Sequence, residues 1–274
     1  MPNSYVLGIV GSGNMAAAIV RGLLDSKAIG PSQIIVSGRN QASLNSFKEK
    51  FNVTITHDNS ESISRSDIVA LAVKPQDFSQ VVPMLRSNIK QNQIVLSVMA
   101  GISIETVQKA TSAQKVVRVM PTIAVSHRKG VLVWANSPSL TDDELRKITW
   151  LLSLLGKEIH LEDDRNLDVS ATISGCGIAY FYFIVDVLIQ NGIRLGFSQG
   201  TSEMLAKQTF IGTASLLEEN GKSIEHRIKE VASKGGMTEQ ALEVLTRKGL
   251  GSIFSEAISA ASRKAVELSK QHHV

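Results

Sequence analysis

The sequence has one cysteine, Cys176, so it can form no disulfide within the chain, and this fits a reducing cytoplasm. Cys176 has no histidine beside it in sequence and reads as a small buried side chain, not a nucleophile. Aromatic residues make up 5% of the chain, and no run of Lys and Arg is interleaved with them. That leaves no footprint for nucleic acid. The formal net charge is +4 and its basic residues are scattered, a mild balance that suits an anionic ligand. The six histidines show no metal-ligand spacing, so no metal is expected, and His272 and His273 read as a solvated pair at the tail. The opening residues MPNSYVLGIVGSGN lack the basic start and cleavage pattern of a secretory signal. Residues 173–193 are apolar but contain Asp186, Gln190, Asn191 and three glycines. They are expected to form a buried core helix, with no membrane span. No internal repeat or low-complexity segment occurs.

What is present is enough chain, 274 residues, for two domains. Short apolar runs at 5–10, 33–37, 67–72, 93–98 and 116–120 predict strands. Helical patterns at 15–24, 41–50, 75–87 and 104–111 lie between them. Such alternation predicts βαβ units, a mainly parallel sheet and an α/β fold. Further strands are expected at 130–135 and 158–161, around a helix at 142–155. After the charged stretch 162–166 the period becomes helical throughout: 174–195, 199–219, 224–232, 239–246 and 251–268. The division is therefore a dinucleotide-binding domain of Rossmann type over 1–164 and an all-helical domain over 165–274. Residues 173–193 and 251–265 carry apolar and small residues over much of their surface, more than one small domain can cover, so a homo-oligomer is expected.

Gly11, Ser12, Gly13, Asn14, Met15 and Ala16 form a G-x-G-x-x-A pattern between the first strand and the first helix. The first glycine permits the tight turn, the second lets backbone approach a pyrophosphate, and the small last residue lets helix pack on strand. The helix N-terminus offers its free N–H groups to the phosphates. The second strand ends in Ser37-Gly38-Arg39-Asn40, without the carboxylate an NAD site uses for the ribose 2′-hydroxyl. Arg39 can pair with a 2′-phosphate and the Ser37 hydroxyl can donate to it, so NADP(H) is favoured over NAD(H).

Four further stretches follow in order: Ala72-Val73-Lys74-Pro75, Ala100-Gly101, Arg118-Val119-Met120-Pro121 and Ser233-Lys234-Gly235-Gly236-Met237-Thr238. With the opening turn, this set resembles the pyrroline-5-carboxylate reductase family over residues 6–268. The resemblance implies hydride transfer from NAD(P)H to the C=N carbon of a cyclic imine carboxylate, giving L-proline. It implies that Val73, Lys74, Pro75, Ala100 and Gly101 line the cofactor cleft. It places Asn59 near the adenosine ribose, and Met120 and Pro121 near the nicotinamide. Ser233, Gly235, Gly236 and Met237 would bind the substrate carboxylate, with Ser174 and Cys176 also in the substrate pocket. The Thr238 hydroxyl would contact the ring nitrogen and act as the catalytic group, orienting the ring or relaying a proton through water. The resemblance also implies a dimer with interlocked helical domains, and rings of dimers. The loop itself allows two readings: two glycines turning N–H groups toward an anion, or an interhelical turn with Thr238 capping the helix at 239–246.

The sequence departs from the family at three places. Thr122-Ile123-Ala124 replaces Asn-Thr-Pro, Cys176 and Ile178 replace Ser and Pro in the Ser-Gly-Ser-Gly-Pro-Ala stretch, and Met237 replaces Thr. These lie where the substrate and nicotinamide are expected, so a different cyclic imine or a non-catalytic NADP-binding regulatory relative are the alternatives. A β-hydroxyacid dehydrogenase shares the domain plan but needs a lysine in the long helix, and none occurs between Ser174 and Lys207.

Overall fold

The computed structural model describes residues 5–219 and 221–271, so His272 and His273 lie outside the described residues. By its contacts the chain divides into two units. One runs to Gly175 and takes in the chain from Ser262 onward; the other is Cys176–Ala261.

The first unit carries an eight-stranded sheet. Its elements are β1 (Tyr5–Val10), α1 (Asn14–Asp25), β2 (Ile34–Ser37), α2 (Gln41–Phe51), β3 (Thr54–Thr56), α3 (Asn59–Ser64), β4 (Ser66–Leu71) and α4 (Phe78–Asn88). They continue with β5 (Ile94–Ser97), α5 (Ile104–Thr111), β6 (Val116–Pro121), β7 (Gly130–Asn136), α6 (Asp142–Ser153), β8 (Gly156–His160) and the short α7 (Leu167–Ser170). The order across the sheet is β3-β2-β1-β4-β5-β6-β7-β8. Every pair is parallel except β6–β7. This is the mainly parallel α/β architecture expected, and central strands such as β2 and β5 are largely apolar because both faces are covered. On β4, Ile68 and Ala70 enter one core cluster while Val69 and Leu71 enter the other.

Several helices begin where side chains satisfy their free N–H groups. Asn40 accepts the Ser43 N–H at the start of α2, and Ser103 accepts the Thr106 N–H at the start of α5. Three local features differ from expectation. The three-residue β3 and six-residue α3 are too short to show a period. The single helix expected at 75–87 is a 3₁₀ turn, Pro75–Asp77, followed by α4 with Pro83 inside it. The unit boundary also falls later than 164/165. Leu167 is fully buried in the core of the sheet, and Asp164 and Asp168 bind the buried Arg118, which ties this segment to the first unit.

The second unit contains α8 (Gly175–Arg194), α9 (Gln199–Leu217), α10 (Ile224–Val231), α11 (Met237–Arg247) and the start of α12 (Leu250–Gln271). Here the expectation of a buried core helix is corrected. Of the described residues in Cys176–Ala261, only Gly177, Ser202 and Ala206 are buried. Phe181, Tyr182 and Phe183 on α8 are 52%, 71% and 70% exposed. The five helices of one chain do not have enough surface to cover their own apolar residues. The stretch Leu167–Arg194 is also long and apolar enough to cross a membrane, a test that core helices of soluble proteins pass as well.

Candidate active site

Gly11 has φ of +114°, and a Cβ there would lie 2.6 Å from the Ala72 carbonyl oxygen and 2.9 Å from the Val73 nitrogen. Only glycine fits this turn, because the loop after β1 lies directly against the loop after β4. The Gly11 N–H donates to the Ser37 carbonyl at 2.9 Å. Gly13 is the N-cap of α1 and provides no side-chain cap. A Cβ on Gly13 would meet nothing within 4 Å. The N-terminus of α1 therefore faces open space with its first-turn N–H groups uncapped, a cradle that fits a pyrophosphate. Ser12 is held from two sides: the Ser43 hydroxyl donates to its carbonyl, and the absence of a side chain at Gly38 leaves room for its Oγ. Asn14 and Met15 open the helix itself.

At the end of β2 the structure corrects one expectation. Ser37 is fully buried and its hydroxyl donates to the Ile9 carbonyl at 3.3 Å, so it braces the turn instead of meeting a phosphate. Arg39 is 70% exposed, and its guanidinium reaches Asp77 Oδ2 at 3.3 Å and donates to Gln80 Oε1. Both partners come from the segment after β4. His57 lies close by, with Nδ1 3.1 Å from the Gly38 carbonyl and Nε2 2.6 Å from Gln41 Oε1.

The other expected cofactor residues also lie at the carboxyl ends of strands, where open α/β sheets bind ligands. Val73, Lys74 and Pro75 follow β4, with Lys74 exposed. Asn59 opens α3 and its amide donates to Met84 Sδ at 3.6 Å. Ala100 and Gly101 follow β5; Gly101 has φ of +74° and its N–H donates to Asp168 Oδ1 at 2.9 Å. Met120 and Pro121 end β6 and are buried. Thr122 is buried too: its hydroxyl accepts the Val131 N–H at 3.1 Å, extending the β6–β7 pairing.

Arg118 has no role in the motifs, yet it is the most connected buried charge in the first unit among the described residues. Its side chain is 3% exposed, binds both oxygens of Asp168 at 2.6 and 2.7 Å, and reaches Asp164 Oδ2 at 3.3 Å. Asp164 Oδ2 also accepts the Ile104 N–H at 2.8 Å. The signal available was the Asp-x-x-x-Asp spacing, two carboxylates four residues apart beside a charged boundary.

In the second unit, Gly235 has φ of +73° and its N–H donates to Glu239 Oε2 at 2.6 Å. The Gly236 N–H donates to the Ser233 carbonyl at 2.9 Å. Gly236 is the N-cap of α11, so Thr238 is not the cap as expected but the second residue of the helix. The Glu239 carboxylate binding back to Gly235 starts the helix two residues early. Met237 is 92% exposed. Cys176 is half-buried on α8 near Tyr180, whose hydroxyl is pushed above its ordinary range first by burial and then by Cys176. In the first unit the Ser174 hydroxyl donates to the Ser170 carbonyl at 3.1 Å. Among the described residues no group of three or more His, Cys, Asp or Glu side chains is arranged to hold a metal.

The chain is similar to known proteins along nearly its whole length. The pyrroline-5-carboxylate reductase of Synechocystis sp. is 31% identical over 268 residues, covering 98% of this chain and all of the relative. The chain belongs to the pyrroline-5-carboxylate reductase family. The family model for pyrroline-5-carboxylate reductase dimerisation matches residues 164–268, and that for NADP oxidoreductase, coenzyme F420-dependent, matches residues 6–101. The solved pyrroline-5-carboxylate reductase of Coxiella burnetii superposes with a TM-score of 0.88 at 31% identity, covering 97% of this chain and 99% of that one. The Plasmodium falciparum pyrroline carboxylate reductase, solved with NADP bound, shares the fold at a TM-score of 0.85 and 21% identity, covering 98% of this chain and 100% of that one. As a family member the chain is an oxidoreductase with a Rossmann-type NADP domain and a dimerisation region. The dehydrogenase alternative falls with this assignment.

Proposed function

We propose that the chain reduces 1-pyrroline-5-carboxylate to L-proline in the cytoplasm, using NADPH in preference to NADH, as a dimer or a ring of dimers. The observation that carries the reaction is identity near 31% with a pyrroline-5-carboxylate reductase along the full length of both chains. NADPH preference is supported by Arg39 at the end of β2, where no carboxylate stands. The cytoplasmic reading rests on the single cysteine.

Each residue then has a task. Gly11 and Gly13 bring the N-terminus of α1 within reach of the pyrophosphate, with Ser12, Asn14 and Met15 completing that turn. Asn59 lies by the adenosine ribose, Val73, Lys74, Pro75, Ala100 and Gly101 line the cofactor cleft, and Met120 and Pro121 lie by the nicotinamide. Ser233, Gly235, Gly236 and Met237 receive the substrate carboxylate, with Ser174 and Cys176 near the ring. The loop already binds one carboxylate, that of Glu239 on the Gly235 N–H. Bound NADPH supplies the hydride. An iminium carbon is already electrophilic, so the chain's work is alignment and the handling of one proton on the ring nitrogen. Thr238 is a poor acid at the ordinary pKa of a hydroxyl, so it orients the ring through a hydrogen bond or relays the proton by way of water.

Substitution of Thr238 tests this. Thr238→Val should lower kcat with pyrroline-5-carboxylate by about tenfold, the worth of one well-placed hydrogen bond. NADPH affinity should stay unchanged and Thr238→Ser should restore the rate. Full kcat in Thr238→Val would remove Thr238 from the chemistry.

A further inference from the structure

Arg39, the proposed partner of a 2′-phosphate, has an acidic neighbour. Asp77 belongs to the 3₁₀ turn after β4, and its carboxylate is 3.3 Å from the Arg39 guanidinium. Gln80, on the first turn of α4, accepts from the same guanidinium and donates to Asp77 Oδ1 at 3.3 Å. The three side chains close a ring across the loops after β2 and β4. An exposed ion pair of this kind contributes little to folding, because water and salt screen it and two flexible side chains must be ordered. Arg39 is 70% exposed, so stability does not account for the arrangement.

Its effect on a ligand is larger. A 2′-phosphate arriving at Arg39 would meet a guanidinium already shared with a carboxylate, and the like charges of phosphate and Asp77 oppose each other. A 2′-hydroxyl meets no such opposition, and a carboxylate is the acceptor that NAD sites use for it. We infer that Asp77 is a cofactor-selectivity residue: it restrains the preference for NADPH that Arg39 creates and keeps NADH usable. This rests on the proposed role of Arg39. The acidic partner absent from the end of β2 is thus supplied across the cleft, from the loop after β4.

Calorimetric titration with adenosine 2′,5′-bisphosphate and with 5′-AMP isolates the 2′-phosphate from the rest of the cofactor. Asp77→Asn should tighten the bisphosphate by about threefold to tenfold, the size expected from one nearby like charge in screened solvent. It should leave 5′-AMP binding unchanged or weaker. In turnover, the NADPH-to-NADH ratio of kcat/KM should rise by the same factor through KM, with kcat and thermal stability unaltered. A ratio that is unchanged or falls in Asp77→Asn overturns the inference. Arg39→Met is the separate control: it should bind the bisphosphate no better than 5′-AMP. If Arg39→Met keeps the wild-type ratio, the role of Arg39 fails and this inference falls with it. If Arg39→Met loses the ratio while Asp77→Asn leaves it unchanged, only Asp77 is excluded.

Discussion

Asp168 receives two hydrogen bonds from the buried guanidinium of Arg118, at 2.6 and 2.7 Å, and its Oδ1 also receives the Gly101 N–H at 2.9 Å. One carboxylate thus joins the core of the sheet to the Ala100-Gly101 loop, which is expected to line the cofactor cleft. Gly101 has a φ of +74°, a conformation glycine adopts freely, and the Asp168 bond fixes where its backbone lies. Removing Asp168 takes away the closer of the two carboxylates on the buried Arg118 and leaves it the longer contact with Asp164 at 3.3 Å. Asp168→Ala should therefore cost about 3–5 kcal/mol of stability in urea unfolding. It should also weaken NADPH binding measured at low denaturant, where the variant is still folded.

The two glycines of the opening turn should respond differently. Gly11→Ala places a Cβ 2.6 Å from the Ala72 carbonyl oxygen at a positive φ, so it should destabilise the fold, seen as a lowered Tm. Gly13→Val meets no protein atom at its Cβ within 4 Å. It should keep the wild-type Tm and lose NADPH binding in a fluorescence titration. A Gly13→Val protein that still bound NADPH normally would remove the α1 N-terminus from the cofactor site.

The apolar face of α8 should be covered in solution by a second copy. Phe183 is 70% exposed on the single chain, and the matched family model at residues 164–268 is one for dimerisation. Phe183→Glu should shift sedimentation velocity toward monomer. The circular dichroism of the sheet-bearing unit should persist.

Lys115 and Glu144 form a half-buried ion pair at 2.6 Å. Burial pushes the Glu144 carboxyl up, but the bonds from Lys115 and from the Thr141 N–H outweigh it and hold it below its ordinary value. A lowered folded pKa adds stability that is complete above the unfolded value, about 4.3, and lost as pH falls through the folded one. Glu144→Gln should therefore cost about 1 kcal/mol near neutral pH, and the cost should shrink as pH falls below about 4, measured by denaturant melts across that range.

Much of this architecture was legible because the physics was local. Tyr5–Val10 and Val116–Met120 read as strands because a strand buried on both faces is largely apolar. The turn at Gly11–Gly13 was legible because its glycines serve a steric need that the structure shows in Ala72. A hydroxyl at a strand end looks the same in sequence whether it points to a ligand or, as that of Ser37 does, to the Ile9 carbonyl. Thr238 was misplaced because the start of α11 depends on where the Glu239 side chain binds, a choice that residue type alone leaves open. Arg118 and Asp168 lie fifty residues apart in sequence, and no local pattern joins them. The exposure of α8 was hidden for another reason: an apolar helix reads the same whether its own chain or a second one covers it.

The most direct test is turnover of pyrroline-5-carboxylate by the purified chain, with NADPH and NADH side by side and proline quantified. The account predicts cofactor oxidation that depends on the imine, one proline formed per cofactor consumed, and a higher kcat/KM with NADPH. NADPH binding without turnover would contradict it, and would leave a dinucleotide-binding protein that acts on another imine or on none.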